Sequence, residues 1–171
     1  MSKVVLLIHY LSHYLYCNGI PLIPSLIANF NRLVFSCYIG PGAKIGRHVV
    51  LGYGGLGCVI HGGCIIGDNV HIGSGVTIGG RSKIAEVPII GNNTVIGSGA
   101  KILGPIKIGD ECAIGANAVV LTDVMARSVV AGVPAVVKKT NIDIACYHNA
   151  FSKGGVLADG KDITNNVSKR D

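Results

Sequence analysis

The chain has 171 residues, a length that suits one domain. Only 14% of the residues are charged and 25 are glycine, which excludes a disordered chain and a charged coiled coil. The mean hydropathy is +0.52, yet no apolar run approaches the ~20 residues that a membrane span needs, and no secretory signal is recognisable. We therefore expect a cytoplasmic protein without a membrane span.

Basic residues outnumber acidic residues by 15 to 9, which favours an anionic ligand. The basic residues are scattered and Trp is absent, so the chain lacks the basic stripe with stacking aromatics that nucleic-acid binding uses. We expect a small-molecule acceptor as the partner and no nucleic acid.

Two helices are predicted in residues 1–36. The first covers residues 4–16, and the second runs from Pro24 to Phe35 with proline in its first turn. The second helix is amphipathic, and its apolar side is formed by Leu26, Ile27, Phe30, Leu33 and Val34. We expect this segment to cap the open end of the domain that follows, and a contact with a membrane surface is the alternative.

A six-residue repeat fills residues 37–139. Aliphatic residues recur at every sixth position and glycine usually follows them; the longest series is Ile60, Ile66, Ile72, Ile78, Ile84, Ile90, Ile96, Ile102, Ile108, Ile114 and Val120. This period fits neither a helix nor a half-buried strand, but it fits a short strand followed by a turn. Three hexads close a triangular coil, so the repeat predicts an all-β parallel β-helix of about five to six coils. We expect residues 140–171 to form an irregular C-terminal tail.

The six cysteines sit mostly at apolar positions of the repeat and form no C-x-x-C pair; they are Cys17, Cys37, Cys58, Cys64, Cys112 and Cys146. We expect reduced core residues and no acyl-cysteine intermediate.

The repeat slips by half a hexad across Gly52–Gly57, and this slip predicts a bulge in the wall. His61 follows the bulge and replaces the glycine expected there, so it is the favoured candidate for a general base, with His71 and His48 as alternatives. The other three histidines, His9, His13 and His148, are expected to be solvated.

Four segments carry a resemblance to a known family: Pro-Gly-Ala-Lys-Ile-Gly (41–46), Gly-Val-Thr-Ile-Gly-Gly (75–80), Gly-Ala-Lys-Ile-Leu-Gly (99–104) and Ala-Gly-Val-Pro-Ala (131–135). Together with the repeat, they resemble the hexapeptide-repeat acyltransferases, and most closely serine acetyltransferase. The resemblance implies a left-handed β-helix, an acetyl-CoA-dependent O-acetyltransferase activity, and a homotrimer with CoA in grooves between neighbouring β-helices.

The resemblance also implies a cofactor site. Gly80, Ser98 and Ala116 recur at every third hexad, so they are predicted to stack as a column of small residues beside the pantetheine arm, with Gly79 next to them. Two lysines after the closing turn, Lys138 and Lys139, are expected to face the phosphates of CoA.

The catalytic positions of serine acetyltransferase do not carry over. Tyr38 and Tyr53 stand where that family has its Asp and general-base His, and Val87 stands where it has a second His. We therefore expect His61 to be the base, Tyr38 and Tyr53 to contact the substrate, and the acceptor to be a sugar of a bacterial surface polysaccharide. The alternatives are an L-serine O-acetyltransferase of cysteine biosynthesis and a non-catalytic assembly module. The histidine spacing is unlike that of the zinc-binding β-helices, and we expect no metal.

Overall fold

The computed structural model describes residues 1–82 and 84–152. Two helices come first, α1 (Ser2–Cys17) and α2 (Ile23–Phe35), and a third, α3 (Ala145–Ser152), comes last. Between them lie short strands: β1 (Tyr38–Ile39), β2 (Lys44–Ile45), β3 (Val50–Leu51), β4 (Val59–Ile60), β5 (Ile65–Ile66), β6 (His71–Ile72), β7 (Thr77–Gly79), β8 (Ile89–Ile90), β9 (Val95–Ile96), β10 (Lys101–Leu103), β11 (Lys107–Ile108), β12 (Ala113–Ile114), β13 (Val119–Val120), β14 (Val129–Ala131) and β15 (Val136–Lys139).

The strands form the three faces of a parallel β-helix. Face A has the order β1-β4-β7-β10-β13, face B has β11-β8-β5-β2, and face C has β15-β14-β12-β9-β6-β3. All neighbours pair in parallel except β14 and β15, which are antiparallel. The predicted fold is confirmed, with fewer complete coils than the five to six expected. The described residues give four regular coils and a fifth in which face B is reduced to a bridge between Ile108 and Val124.

The repeated aliphatic residues fill the narrow interior, and each touches its counterpart in the next coil. Ile60 pairs with Ile78, and Ile78 pairs with Ile102, and all three are fully buried. Burial of one such side chain contributes about 1.5–3 kcal/mol, so the stack of isoleucines holds the coils together.

One complete hexad leaves the wall. Ile66 pairs with Ile90, four hexads later instead of three, because residues 80–82 and 84–88 lie in a loop on the outside of the coil. Ile84 lies in this loop, where it forms an isolated antiparallel β-bridge with Arg81 and is 39% exposed. Its assignment to the repeating interior series is therefore wrong. The sequence hides the loop because the insertion of a whole hexad leaves the period intact.

The predicted bulge is present after β3. Residues Gly52–Gly55 form a tight turn in which Tyr53 (φ 50°) and Gly54 (φ 72°) are left-handed. The extra residues make the first coil longer than three hexads, since Ile39 pairs with Ile60 and not with the residue that lies three hexads after it.

The N-terminal helices cap the first coil, but with a different side from the one predicted. Val5 and Leu6 of α1 join the interior cluster. The apolar side of α2 instead faces outward, and Leu26 is 65% exposed. None of the helices in the described part of the chain is long and apolar enough to cross a membrane.

Two of the histidines expected to be solvated are part of this cap. His9 is 1% exposed and its Nε2 lies 3.2 Å from the Ala43 carbonyl oxygen, while Nδ1 of His13 lies 2.8 Å from that of Pro41. The prediction failed because the helical pattern around these residues does not show that the face carrying them packs on the β-helix.

The segment after residue 139 is more ordered than an irregular tail. Ile142 and Ile144 are buried against Val95 and Ala113 on the outside of face C, and α3 follows. The packing anchors residues 141–148 to the coil wall, and the rest of the predicted tail, residues 153–171, lies outside the described residues.

Candidate functional site

The predicted site residues fall at two different corners of the β-helix. The A–B corner is where each coil passes from face A to face B, after β4 and β7; the C–A corner is where it passes from face C to face A, after β9 and β12. The two corners lie at opposite edges of face A, and each has its own chemistry.

His61 lies at the A–B corner of the second coil, and its side chain is exposed. Its backbone N–H donates to the Ile78 carbonyl at 2.8 Å, which places Gly79 directly against it in the next coil. A Cβ on Gly79 would lie 3.7 Å from Cβ of His61. The structure therefore brings His61, Gly79 and the following Gly80 together.

A backbone hydrogen bond holds the His61 ring. The Gly63 N–H donates to Nδ1 at 3.1 Å. A nitrogen that accepts a hydrogen bond carries no proton, so neutral His61 has its proton on Nε2 and offers an N–H donor to solvent. To remove a proton from a hydroxyl group, the ring has to leave Gly63 and present an unprotonated nitrogen.

The loop that holds residues 80–82 and 84–88 returns to the same corner. A Cβ on Gly63 would lie 3.0 Å from Cγ2 of Val87 and 3.5 Å from Nδ1 of His61. Val87 therefore borders the His61 side of the corner, and its side chain gives this border an apolar surface.

The C–A corner holds Ser98 and Ala116, which stack in successive coils and are exposed. The residue below them is Ser74, whose hydroxyl lies 3.4 Å from that of Ser98. Gly80 is not in this column, so the prediction of a column through Gly80 is wrong. The extruded hexad separates Ser74 from Ser98 by four hexads instead of three, and sequence spacing alone cannot show this.

A groove of about 350 Å³ runs beside Ser98 and Ala116. Its walls include Val95, Val129 and Tyr147, the last from the docked C-terminal segment. Tyr147 was not among the predicted site residues. The alternation of Ile142 and Ile144 was the available signal that this segment packs on a sheet.

The remaining predicted site residues are dispersed. Tyr53 is 84% exposed on the bulge, at the C–A corner of the first coil. Tyr38 begins face A and lines a separate recess with Arg32 and Ser36. Lys138 and Lys139 are exposed on β15, the antiparallel strand at the end of face C.

The alternative base candidates lie elsewhere. His48 is exposed between faces B and C, with φ 57°. His71 is on face C, where its ring meets that of His148 edge-on at 4.7 Å. Burial, together with the nearby His148, holds the pKa of His71 below its usual value. His148 is half-buried and its Nε2 lies 3.1 Å from the Asn93 carbonyl oxygen, so the expectation that it is solvated is wrong.

The buried thiols near the site are poorly reactive. Cys58 and Cys64 flank β4 and are fully buried, and burial raises the pKa of Cys64 to about 11. A thiol with so high a pKa is protonated at neutral pH and is a poor nucleophile. Across residues 1–82 and 84–152, no three His, Cys, Asp or Glu side chains form a group that could hold a metal ion.

Comparison with known proteins shows what this chain is similar to. Residues 88–122 match the family described as bacterial transferase hexapeptide (six repeats). Serine acetyltransferase from Synechocystis sp. is 47% identical over 78 residues, which are 46% of this chain and 31% of that protein.

Solved structures of serine acetyltransferases are similar to this chain over more of its length. The serine acetyltransferase of Brucella abortus in complex with coenzyme A matches with a TM-score of 0.77 and 35% identity, over 81% of this chain and 56% of that one. A serine acetyltransferase in complex with cysteine matches with a TM-score of 0.80 and 32% identity, over 90% of this chain and 59% of that one. The chain thus spans about a third of the length of the curated relatives and under two thirds of the solved ones.

These findings correct the expected acceptor. The curated relatives and the solved structures described above are serine acetyltransferases, and the branch that acetylates surface polysaccharides is not supported. The prediction of a sugar acceptor is therefore wrong. It gave too much weight to the loss of three polar residues, at Tyr38, Tyr53 and Val87.

Proposed function

We propose that this chain is an acetyl-CoA-dependent L-serine O-acetyltransferase. The observation that carries the proposal is the match, over 81% of the chain at 35% identity, to a serine acetyltransferase solved with coenzyme A. The groove at the C–A corner supports it, because small residues at Ser98 and Ala116 leave the backbone open to an extended ligand.

The reaction that we propose is direct transfer. His61 removes the proton from the serine hydroxyl, the resulting oxygen attacks the thioester carbonyl, and the tetrahedral intermediate collapses to the acetyl ester and the CoA thiolate. The proton on His61 then passes to the thiolate. The exposed ring makes its unprotonated Nδ1 available by releasing the Gly63 N–H when the hydroxyl binds. The backbone N–H group of the exposed Gly80 is the candidate for holding the oxyanion.

A second copy of the chain completes the site in this proposal. His61 and Gly80 are at one edge of face A, whereas Ser98 and Ala116 are at the other. One chain therefore cannot place its base beside the cofactor in its own C–A groove. Packing the A–B corner of one copy against the C–A corner of another joins the two halves, and a closed ring of three copies is the assembly that we propose. Lys138 and Lys139 are then the candidate contacts for the CoA phosphates.

The test is release of free CoA from acetyl-CoA in the presence of L-serine, with nucleotide sugars and free sugars as comparison acceptors. Serine-dependent release supports the proposal. Release with a sugar alone would overturn it. Absence of both CoA release and CoA binding would instead indicate a non-catalytic assembly module.

A further inference from the structure

A cysteine and a histidine face each other at the C-terminal end of α1. Sγ of Cys17, the last residue of the helix, lies 3.5 Å from Nε2 of His13, about one turn earlier. The other ring nitrogen of His13, Nδ1, lies 2.8 Å from the carbonyl oxygen of Pro41 in the first coil. We call Cys17 and His13 the α1 dyad.

The Pro41 carbonyl decides which nitrogen of His13 is free to act as a base. A carbonyl oxygen only accepts hydrogen bonds, so Nδ1 of His13 carries a proton and donates to it. Nε2 of neutral His13 is then unprotonated and accepts a hydrogen bond from the Cys17 thiol. A nucleophile, a base within hydrogen-bond reach and a group that orients the base together form the arrangement that activates a thiol.

The α1 dyad is open to solvent at its thiol and held in place at its imidazole. Cys17 is exposed, whereas His13 is half-buried against the first coil. Residues 1–67 hold no Asp or Glu, so α1, α2 and the first coil offer no carboxylate that would oppose a thiolate. The C-terminal end of a helix disfavours a negative charge, so removal of the thiol proton depends on His13.

The α1 dyad lies at the same corner of the β-helix as His61, next to the preceding coil. Pro41 follows β1, so it is at the A–B corner of the first coil. A Cβ on the next residue, Gly42, would lie 2.8 Å from the Gly62 carbonyl oxygen and 3.1 Å from the Tyr16 ring. The end of α1 is therefore packed against the corner that carries His61.

We propose that Cys17 is a thiol–disulfide exchange site for low-molecular-weight disulfides, with His13 as its base. Nε2 of His13 takes the thiol proton, and Sγ of Cys17 attacks one sulfur of the disulfide. The S–S bond of the reagent breaks, Cys17 becomes a mixed disulfide, and the leaving thiolate takes the proton from His13. Cys17 is thereby oxidised while one half of the reagent is reduced to a thiol, and an excess of thiol reverses the step.

The experiment measures how fast Cys17 of the native full chain reacts with two disulfides. One is DTNB, which releases a coloured thiolate, and the other is oxidised glutathione, followed by mass spectrometry. All proteins carry Cys146→Ser, which removes the other exposed thiol. Only a few per cent of an ordinary thiol is ionised at neutral pH, so His13→Gln should slow the reaction about tenfold. The matched control, His48→Gln, changes an exposed histidine between faces B and C and should leave the rate unchanged.

A second variant tests the geometry without altering His13. Cys17→Ser/Asn18→Cys moves the thiol to the next residue, which is also exposed but does not have the four-residue spacing that places a side chain beside His13. The shifted thiol should react about tenfold more slowly than Cys17. Cys37 and the other buried thiols stay unreactive while the fold is intact, so they show whether each variant remains folded.

Three results would overturn the proposal. They are a Cys17 that reacts with neither disulfide, an equal rate with and without His13, and a shifted thiol that reacts as fast as Cys17. None of these readouts depends on the acetyltransferase reaction.

Discussion

His61 is the residue on which the proposed chemistry depends most directly. If it acts as the base, both His61→Ala and His61→Gln should lower kcat by about 10²–10⁴-fold, while the dissociation constant for CoA stays unchanged. The glutamine variant separates two roles, because its amide keeps an N–H donor but cannot take a proton. Substantial activity in His61→Gln alone would show that Nε2–H acts only as a donor. Steady-state kinetics with L-serine and calorimetric CoA binding provide the two measurements.

His9 predicts how the stability of the N-terminal cap depends on pH. Burial lowers the pKa of His9 to about 4 in the folded protein, against its ordinary value of 6.5. The unfolded chain therefore binds more protons between these values, and stability falls as the pH is lowered from about 6.5 to 4. The free energy of unfolding should fall by about 3 kcal/mol at most. Urea unfolding across this pH range provides the measurement.

His9→Gln is the matched control for that effect. Glutamine can still donate to the Ala43 carbonyl but does not titrate, so the variant should lose most of the pH dependence. An unchanged slope in the variant would assign the effect to other groups.

Gly97 shows where the tight stacking of coils permits no side chain. A Cβ at this position would lie 2.5 Å from the backbone nitrogen of Ala116. Gly97→Ala should therefore destabilise the fold by about 1–3 kcal/mol. Gly62→Ala is the control, since the nearest atom to a Cβ there would be 3.6 Å away, and it should unfold at nearly the wild-type urea concentration. Equal midpoints for the two variants would contradict this account of the corners.

The repeat predicts the burial of residues that lie in the coil wall, but it does not predict the burial of residues in segments that loop out of the wall. Ile60 and Ile78 follow the period and are buried, as expected. Ile84 follows the same period and lies in a loop, because the inserted hexad decides its position and its own side chain does not. The orientation of His61 depends on a hydrogen bond from Gly63, which no spacing rule includes.

At the scale of elements, the C-terminal segment offers a direct test of docking. Ile144 is 9% exposed against face C, and a carboxylate there would be buried without a partner. Ile144→Asp should release the segment and speed hydrogen exchange of the Ile142 amide, which donates to the Arg127 carbonyl. Cys146→Asp places the same charge at an exposed neighbour and should leave that exchange slow. Rapid exchange already in the wild type would show that the segment is not held.

The helices were predicted correctly as elements, but their orientation was not. Periodicity identifies an apolar side of α2, and the usual inference is that this side is buried. Here the small residue Ala28 and the hydrogen-bonded Asn31 allow close packing on the opposite side. A pattern of hydrophobicity cannot reveal that the Asn31 amide on one side finds a backbone carbonyl to donate to.

At the scale of the whole molecule, the coil divides the six thiols into two sets. Cys17 and Cys146 are exposed, whereas Cys37, Cys58, Cys64 and Cys112 are fully buried. Burial raises the pKa of Cys37 to about 12. A maleimide should therefore label two thiols rapidly in the native protein and the other four only after denaturation, as counted by mass spectrometry. Rapid labelling of a third thiol would indicate an opening of the coil.

The extruded hexad has a consequence for how such a chain can change its length. Adding one hexad at a single corner left every later aliphatic side chain pointing inward, and removing a whole coil, such as residues 97–114, would join positions that already lie one above the other. A shorter deletion within a strand, out of step with the repeat, would turn the subsequent isoleucines away from the interior unless a bulge such as that at Gly52–Gly55 absorbed it. Descendants of this gene can therefore become longer or shorter in whole hexads far more readily than by single codons.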